Sequence, residues 1–187
     1  MVKAQTFTGN GKTEFKKEET MRMVFFGTSV IEGQIFAKDY PGGSVLNMNK
    51  RQYAPIGTEV LLVPYTAYFK EYIAVLKRAQ KQGKTVQLPE DALKCIKVAI
   101  ILDEQGHYKF SNLTNGEYLL LTNFDYKHTT TTRETVGRKE MYVGGIYQGS
   151  SPITSIYSQS SYDSAAIEEV VSINVDGEVK KINLKKT

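Results

Sequence analysis

VAIILDEQGHYKFSNLTNGEYLLLTNF, residues 98–124, decides the fold of this chain. It reads as strand, tight turn, strand, turn, strand. Residues 98–102 form a continuous apolar run, the pattern of a strand buried on both faces. Residues 103–106 supply turn chemistry, because glycine takes positive φ without steric cost and aspartate bonds its own backbone. Tyr108 and Phe110 then alternate with polar His107 and Lys109, so a half-buried strand resumes. Asn115-Gly116 is a hairpin turn signal, and residues 118–121 follow as a further strand.

Within this block Asp103, Gly106, Tyr108, Phe110, Leu113, Gly116, Tyr118 and Leu120 form the pattern D-x-x-G-x-Y-x-F-x-x-L-x-x-G-x-Y-x-L. It resembles the signature of carboxypeptidase regulatory-like domains, the transthyretin- and Cna-B-like β-sandwiches. Weaker echoes of that family's opening strands fall at residues 29–36 and 57–63, and of its closing hairpin at 170–184. The resemblance implies a Greek-key sandwich and a periplasmic, cell-surface or extracellular protein. It imports no peptidase activity, because the zinc ligands of a carboxypeptidase belong to a different domain. Cna-B relatives also form a Lys–Asn isopeptide crosslink promoted by a buried Glu. That Glu would fall two residues after Leu120, where this chain has Thr122, so no crosslink between Lys38 and Asn174 is expected.

The chain of 187 residues, 41% hydrophobic, suits one domain with additions and can bury a real core. A formal charge of +4 with lysines spread along the chain does not call for nucleic acid. The single cysteine, Cys95, rules out an internal disulfide and a cysteine-built metal site. It sits where the chain enters an apolar strand and reads as a buried structural thiol. No signal peptide is visible, and no apolar run approaches the ~20 residues of a transmembrane helix.

Residues 1–20 are polar and read as an arm that adds a strand to the sheet edge of a neighbour or stays flexible. TGNGKT at 8–13 lacks the first glycine of a phosphate loop, since Thr6 stands in its place. Residues 21–38 read as β-rich, with Met23 and Phe25 alternating and Gly27 and Gly33 as punctuation. The Tyr40–Gly43 stretch is a turn by its Pro-Gly pair, and residues 57–63 are a strand. A helix is expected at about 66–83: Tyr68, Phe69, Tyr72, Ile73, Leu76 and Ala79 share one face, with Thr66 as N-cap and Gly83 as stop. Lys70, Lys77, Arg78 and Lys81 cover the opposite face.

Residues 125–135, DYKHTTTTRET, read as an exposed strand or a long hairpin arm, since threonine favours β structure. Residues 144–165 interleave tyrosine with Ser, Gly and Gln, the composition of binding loops. That stretch is expected to be an interaction loop, with Tyr142, Tyr147, Ile153, Ile156, Tyr157 and Tyr162 as its partner-binding side chains. Asp176-Gly177 then marks a closing hairpin, and Lys180, Lys181, Lys185 and Lys186 protect an edge strand.

The chemistry of a catalytic centre is missing from the motifs. His107 and His128 lack an obvious metal set, G-x-S-x-G does not occur, and the paired carboxylates are sequence neighbours that diverge on a strand. The expected fold is mainly β, a Greek-key (prealbumin/Ig-like) β-sandwich of about seven to eight strands with one inserted amphipathic helix. The expected function is a non-enzymatic structural or protein-interaction module without cofactor or metal, a subunit of a larger assembly. A carbohydrate-binding module is the alternative, weakened by the absence of tryptophan.

Overall fold

The computed structural model describes residues 5–7, 13–38 and 51–186. The readings made for residues 8–12 and for the turn at 40–43 lie outside these. Two sheets face each other across one core. In the first, β2 (Ser29–Lys38) is central. On one side it pairs antiparallel with β3 (Arg51–Tyr53) and β7 (His107–Leu113). On the other it pairs parallel with β10 (Val179–Lys181) and β11 (Leu184–Lys186). The second sheet runs in the order β6 (Lys97–Ile100), β4 (Glu59–Pro64), β8 (Gly116–Val143), β9 (Ile146–Ile173), all antiparallel. Ile31, Ile35, Leu62, Phe110, Tyr118 and Leu120 pack between the sheets. The chain is a β-sandwich.

The 103–106 turn forms as its residues dictate. Gly106 takes φ 66°, and the Asp103 carboxylate accepts the backbone N–H groups of Gln105 and His107 and pairs with the His107 ring at 2.7 Å. These bonds, led by the backbone N–H of His107, hold the Asp103 carboxyl below its usual range. Asp91 and Glu178 are lowered too, each chiefly by a hydrogen bond from a lysine, Lys17 and Lys180 respectively. A carboxyl depressed in the folded state contributes stability above its unfolded pKa of about 4 and loses it as pH falls through the folded value. The thermal midpoint is therefore expected to fall with acidification below about pH 4, and Asp103→Asn should flatten that limb in a calorimetric series.

The expected helix is present as α2 (Ala67–Lys81), with Tyr68, Phe69 and Ala79 buried. It lies on the outer face of the second sheet, where Tyr68 and Phe69 join Val63 and Leu119 in a second apolar cluster. Gly83 closes it at φ 67°, but Thr66 makes no side-chain capping bond. Two of the lysines on its polar face reach the sheet: Lys70 pairs with Glu117 at 2.7 Å and Lys77 with Glu168 at 2.6 Å. Cys95 is buried, and its thiol donates to the Asp91 carbonyl.

Six expectations need correction. Residues 21–25 are not a strand but the end of a helix, α1 (Lys17–Phe25), which begins within the segment read as a polar arm. Thr20 and Val24, one helical turn apart, are its buried positions, whereas the alternating Met23 and Phe25 imitate a strand. Among the described residues there are three helices where one was expected, α3 (Glu90–Leu93) being the last. Residues 5–7 do not reach for a neighbour: β1 (Gln5–Thr6) pairs with β5 (Val86–Gln87) of the same chain, and Phe7 is buried against Tyr68 and Tyr72. The apolar run of β6 is not buried on both faces. It sits at the sheet margin beyond the cover of α2, leaving Val98 and Ile100 more than half exposed.

The closing segment also departs from a hairpin. Asp176-Gly177 does turn, but β10 crosses to the first sheet instead of folding back on β9. The Ser29 hydroxyl explains the crossing: it accepts the Gly177 N–H at 3.0 Å and donates to the Val175 carbonyl at 3.3 Å, tying the turn to the start of β2. Finally, residues 144–165 are not a loop.

Candidate functional site

Strands β8 and β9 are each 28 residues long and pair with each other from Gly116–Ile173 to Val143–Ile146. Their first part belongs to the sandwich: Tyr118, Leu120, Phe124 and Tyr126 are buried on β8, and Ala165, Ile167 and Val171 on β9. Beyond Tyr126 the character changes. Between residues 127 and 164 neither strand has a buried residue. Residues 127–143, at about 3.3 Å per residue, carry the ribbon about 55 Å past the last core side chain. The Asp125–Thr135 segment is thus the outward strand of a hairpin arm, and the expected tyrosine loop is its return strand.

The local sequence explains the correction. Gly144 and Gly145 take φ 58° and 80°, the two positive values that a type I′ hairpin turn requires. Tyr, Ile and Thr are β-favouring, and the serines pair sideways rather than loosening the chain. Thr129 and Ser160 hydroxyls meet at 3.2 Å across the ladder, and those of Thr131 and Ser158 at 3.4 Å. A β-bulge interrupts the register between Thr135 and Gly137, and another between Met141 and Tyr142.

Tyr142 and Tyr147 oppose each other at the tip, ring centroids 5.6 Å apart and edge to face. The Tyr142 hydroxyl donates to Glu140 at 2.7 Å, which raises its pKa. Ile153, Ile156, Tyr157 and Tyr162 do not join them in one patch. They stand along the shaft opposite Gly137, Arg133, Thr132 and Lys127. Strand alternation puts Ile156 and Tyr162 on one face and Ile153 and Tyr157 on the other. All six are exposed, from 48% for Ile153 to 81% for Tyr162. Sequence reasoning missed their neighbours Val136, Met141, Val143 and Ile146, which are equally exposed. The signal was available, since Gly144-Gly145 stands between the apolar stretches Met141-Tyr142-Val143 and Ile146-Tyr147.

The arrangement offers contact surface rather than reaction chemistry. His107 opens β7 and bonds Asp103, whereas His128 lies on the arm, so they do not converge. No group of three His, Cys, Asp or Glu side chains suited to a metal occurs among the described residues. Thr122 is buried and donates its hydroxyl to the Glu59 carbonyl at 2.9 Å. An open cleft of about 490 Å³ on the outer face of the second sheet is lined by Leu61, Leu121, Asn123 and Glu168. A wider one, about 910 Å³, lies beside the start of α1 and mixes Lys17, Glu18 and Arg22. Among the described residues no helix is long and apolar enough to cross a membrane.

No family model matches the chain. No curated protein matches it either. Among solved structures it is similar to a Pseudomonas aeruginosa protein described as a "putative carbohydrate binding protein". The superposition has a TM-score of 0.55, covers 93% of this chain and 99% of that one, and relates sequences 16% identical. At that identity the likeness is one of fold.

Proposed function

We propose that this protein is a non-enzymatic interaction module that binds protein partners through the β8–β9 arm. The observation that carries the reading is a two-stranded ribbon about 55 Å long in which no residue from 127 to 164 is buried. An isolated two-stranded hairpin is marginally stable in water, and its exposed Tyr, Ile, Val and Met side chains gain about 1.5–3 kcal/mol each when fully buried. Such an arm is stable in its working state when a partner covers it. Kinship with the carboxypeptidase regulatory-like sandwiches is part of the proposal and rests on the Asp103–Leu120 pattern. An envelope or extracellular setting follows from that kinship. Light scattering on natively extracted protein, beside a variant with residues 127–162 replaced by Asn-Gly, tests the reading. A large native complex that the shortened variant fails to join supports it; unchanged association refutes it.

Glycan binding is the second reading, favoured by the description of the similar Pseudomonas protein and by the exposed tyrosines. It requires retardation in polysaccharide gels that disappears with Tyr147→Ala or Tyr157→Ala, with protein association left intact.

A further inference from the structure

The two edges of the arm are chemically unlike. Strand β8 carries Lys127, Arg133, Glu134, Arg138, Lys139 and Glu140 along it, whereas residues 146–162 of β9 hold no charged side chain. Natural sheet edges are guarded by charges, prolines or bulges, because an unpaired row of N–H and C=O groups is a template for another strand. On β9 the guards stand only at the two ends. Towards the tip are Pro152 and the bulge that separates Gly149 from Tyr147; towards the sandwich are Asp163, Glu168 and Glu169. Between them ITSIYSQSSY, residues 153–162, has no charge, proline, glycine or bulge. Strand β9 ends the sheet, so among the described residues no strand pairs with this edge.

We propose that this window pairs antiparallel with the same window of a second copy, giving a continuous β8–β9–β9–β8 sheet about a two-fold axis near Tyr157 or Ser158. The inference rests on the arm being the interaction element and names its partner. Self-pairing suits the window for three reasons. A neutral strand meets its own copy without like-charge repulsion, whereas the β8 edge would oppose mixed charges in a fixed register. A two-fold axis perpendicular to the sheet keeps each face on its own side, so Ile156 and Tyr162 of both copies line one face while Ile153 and Tyr157 line the other. Four strands also turn a ribbon with bare faces into a sheet wide enough to hold apolar contacts. The open window spans about 33 Å, and pairing along it adds roughly one main-chain hydrogen bond per residue pair.

Two single variants of the full chain test it. Ser158 and Thr131 are cross-strand partners on the same face and at the same height, and they differ in the edge they occupy. By sedimentation the intact protein is expected to dimerise. Ser158→Lys, which sets two ammonium groups beside the axis, should weaken the dimer about tenfold or more, while Thr131→Lys leaves it unchanged. Mixing Ser158→Lys with Ser158→Glu protein should restore association as a heterodimer. Circular dichroism of each variant confirms that the sandwich is intact. A dimer insensitive to Ser158→Lys, or equally lost with Thr131→Lys, overturns the edge assignment. An intact chain that stays monomeric at high micromolar concentration, yet enters a large native complex through the arm, overturns self-pairing and leaves the arm's interaction role standing.

Discussion

Replacing Gly33 with alanine is expected to destabilise the fold by about 3 kcal/mol or more, a loss of about 6–12 °C in thermal midpoint for a chain of this length. A Cβ on Gly33 would lie 1.7 Å from the Ile182 carbonyl oxygen and 2.6 Å from its carbon. Neither atom can yield alone. The Ile182 N–H donates to the Glu32 carbonyl at 2.9 Å, and the Ile182 carbonyl accepts the Tyr108 hydroxyl at 2.8 Å. The segment between β10 and β11 is therefore laid directly on Gly33, and making room means lifting both strands from β2. Burial pushes the Tyr108 phenol up, so that hydroxyl remains a donor throughout the physiological range. Gly137→Ala is the control. That glycine also lies within a long strand, but an added Cβ meets nothing nearer than the Ile153 side chain at 3.9 Å. Its thermal midpoint is expected to match the parent.

Excising residues 127–162 is expected to abolish association while leaving the sandwich folded. The two outcomes separate because no residue of that segment is buried in the core. Tyr126 on β8 and Ala165 on β9 stay to close the core, and the Asn-Gly turn satisfies the shortened hairpin. The Gln52 side chain, which bonds both the N–H and the carbonyl of Lys127, is a polar tie that the excision disturbs. A net hydrogen bond contributes about 1 kcal/mol, so the thermal cost should be small beside that of Gly33→Ala. Scanning calorimetry and light scattering on the same preparation measure both quantities. A shortened variant that unfolds would mean the arm belongs to the core, against the burial pattern.

What was legible in the sequence was what is encoded locally. The Asp103–Gly106 turn, the inward Tyr108 and Phe110, and the stripe of α2 each need only residues a few positions apart. The beginning and end of the chain depended on distant ones. Met23 and Phe25 alternate like a strand, but Thr20 and Val24 are the buried pair. Distant residues hold the C-terminal end of α1: the Lys97 ammonium donates to the Val24 and Ser111 carbonyls at 2.8 and 2.6 Å, and the Tyr118 hydroxyl to the Met23 carbonyl at 2.8 Å. The crossing of β10 depends on Ser29, 148 residues from Gly177. Gly33 reads as turn punctuation, although its role is to admit a backbone that returns from the far end of the chain. The arm was half legible. Its threonines announced a strand, but the Tyr/Ser/Gly composition of residues 146–162 imitates a loop. A ribbon that packs on no core shows no alternation of apolar and polar residues to betray it.

Amide hydrogen exchange across the arm distinguishes a ribbon covered by a partner from a bare one. In dilute isolated protein, amides of residues 127–162 should exchange orders of magnitude faster than those of the sandwich strands, as expected for a ribbon with open faces. In the natively extracted or concentrated protein the same amides should become protected while the sandwich changes little. Equal, rapid exchange of the arm in both states would contradict the account, because the arm would then have no partner to cover it.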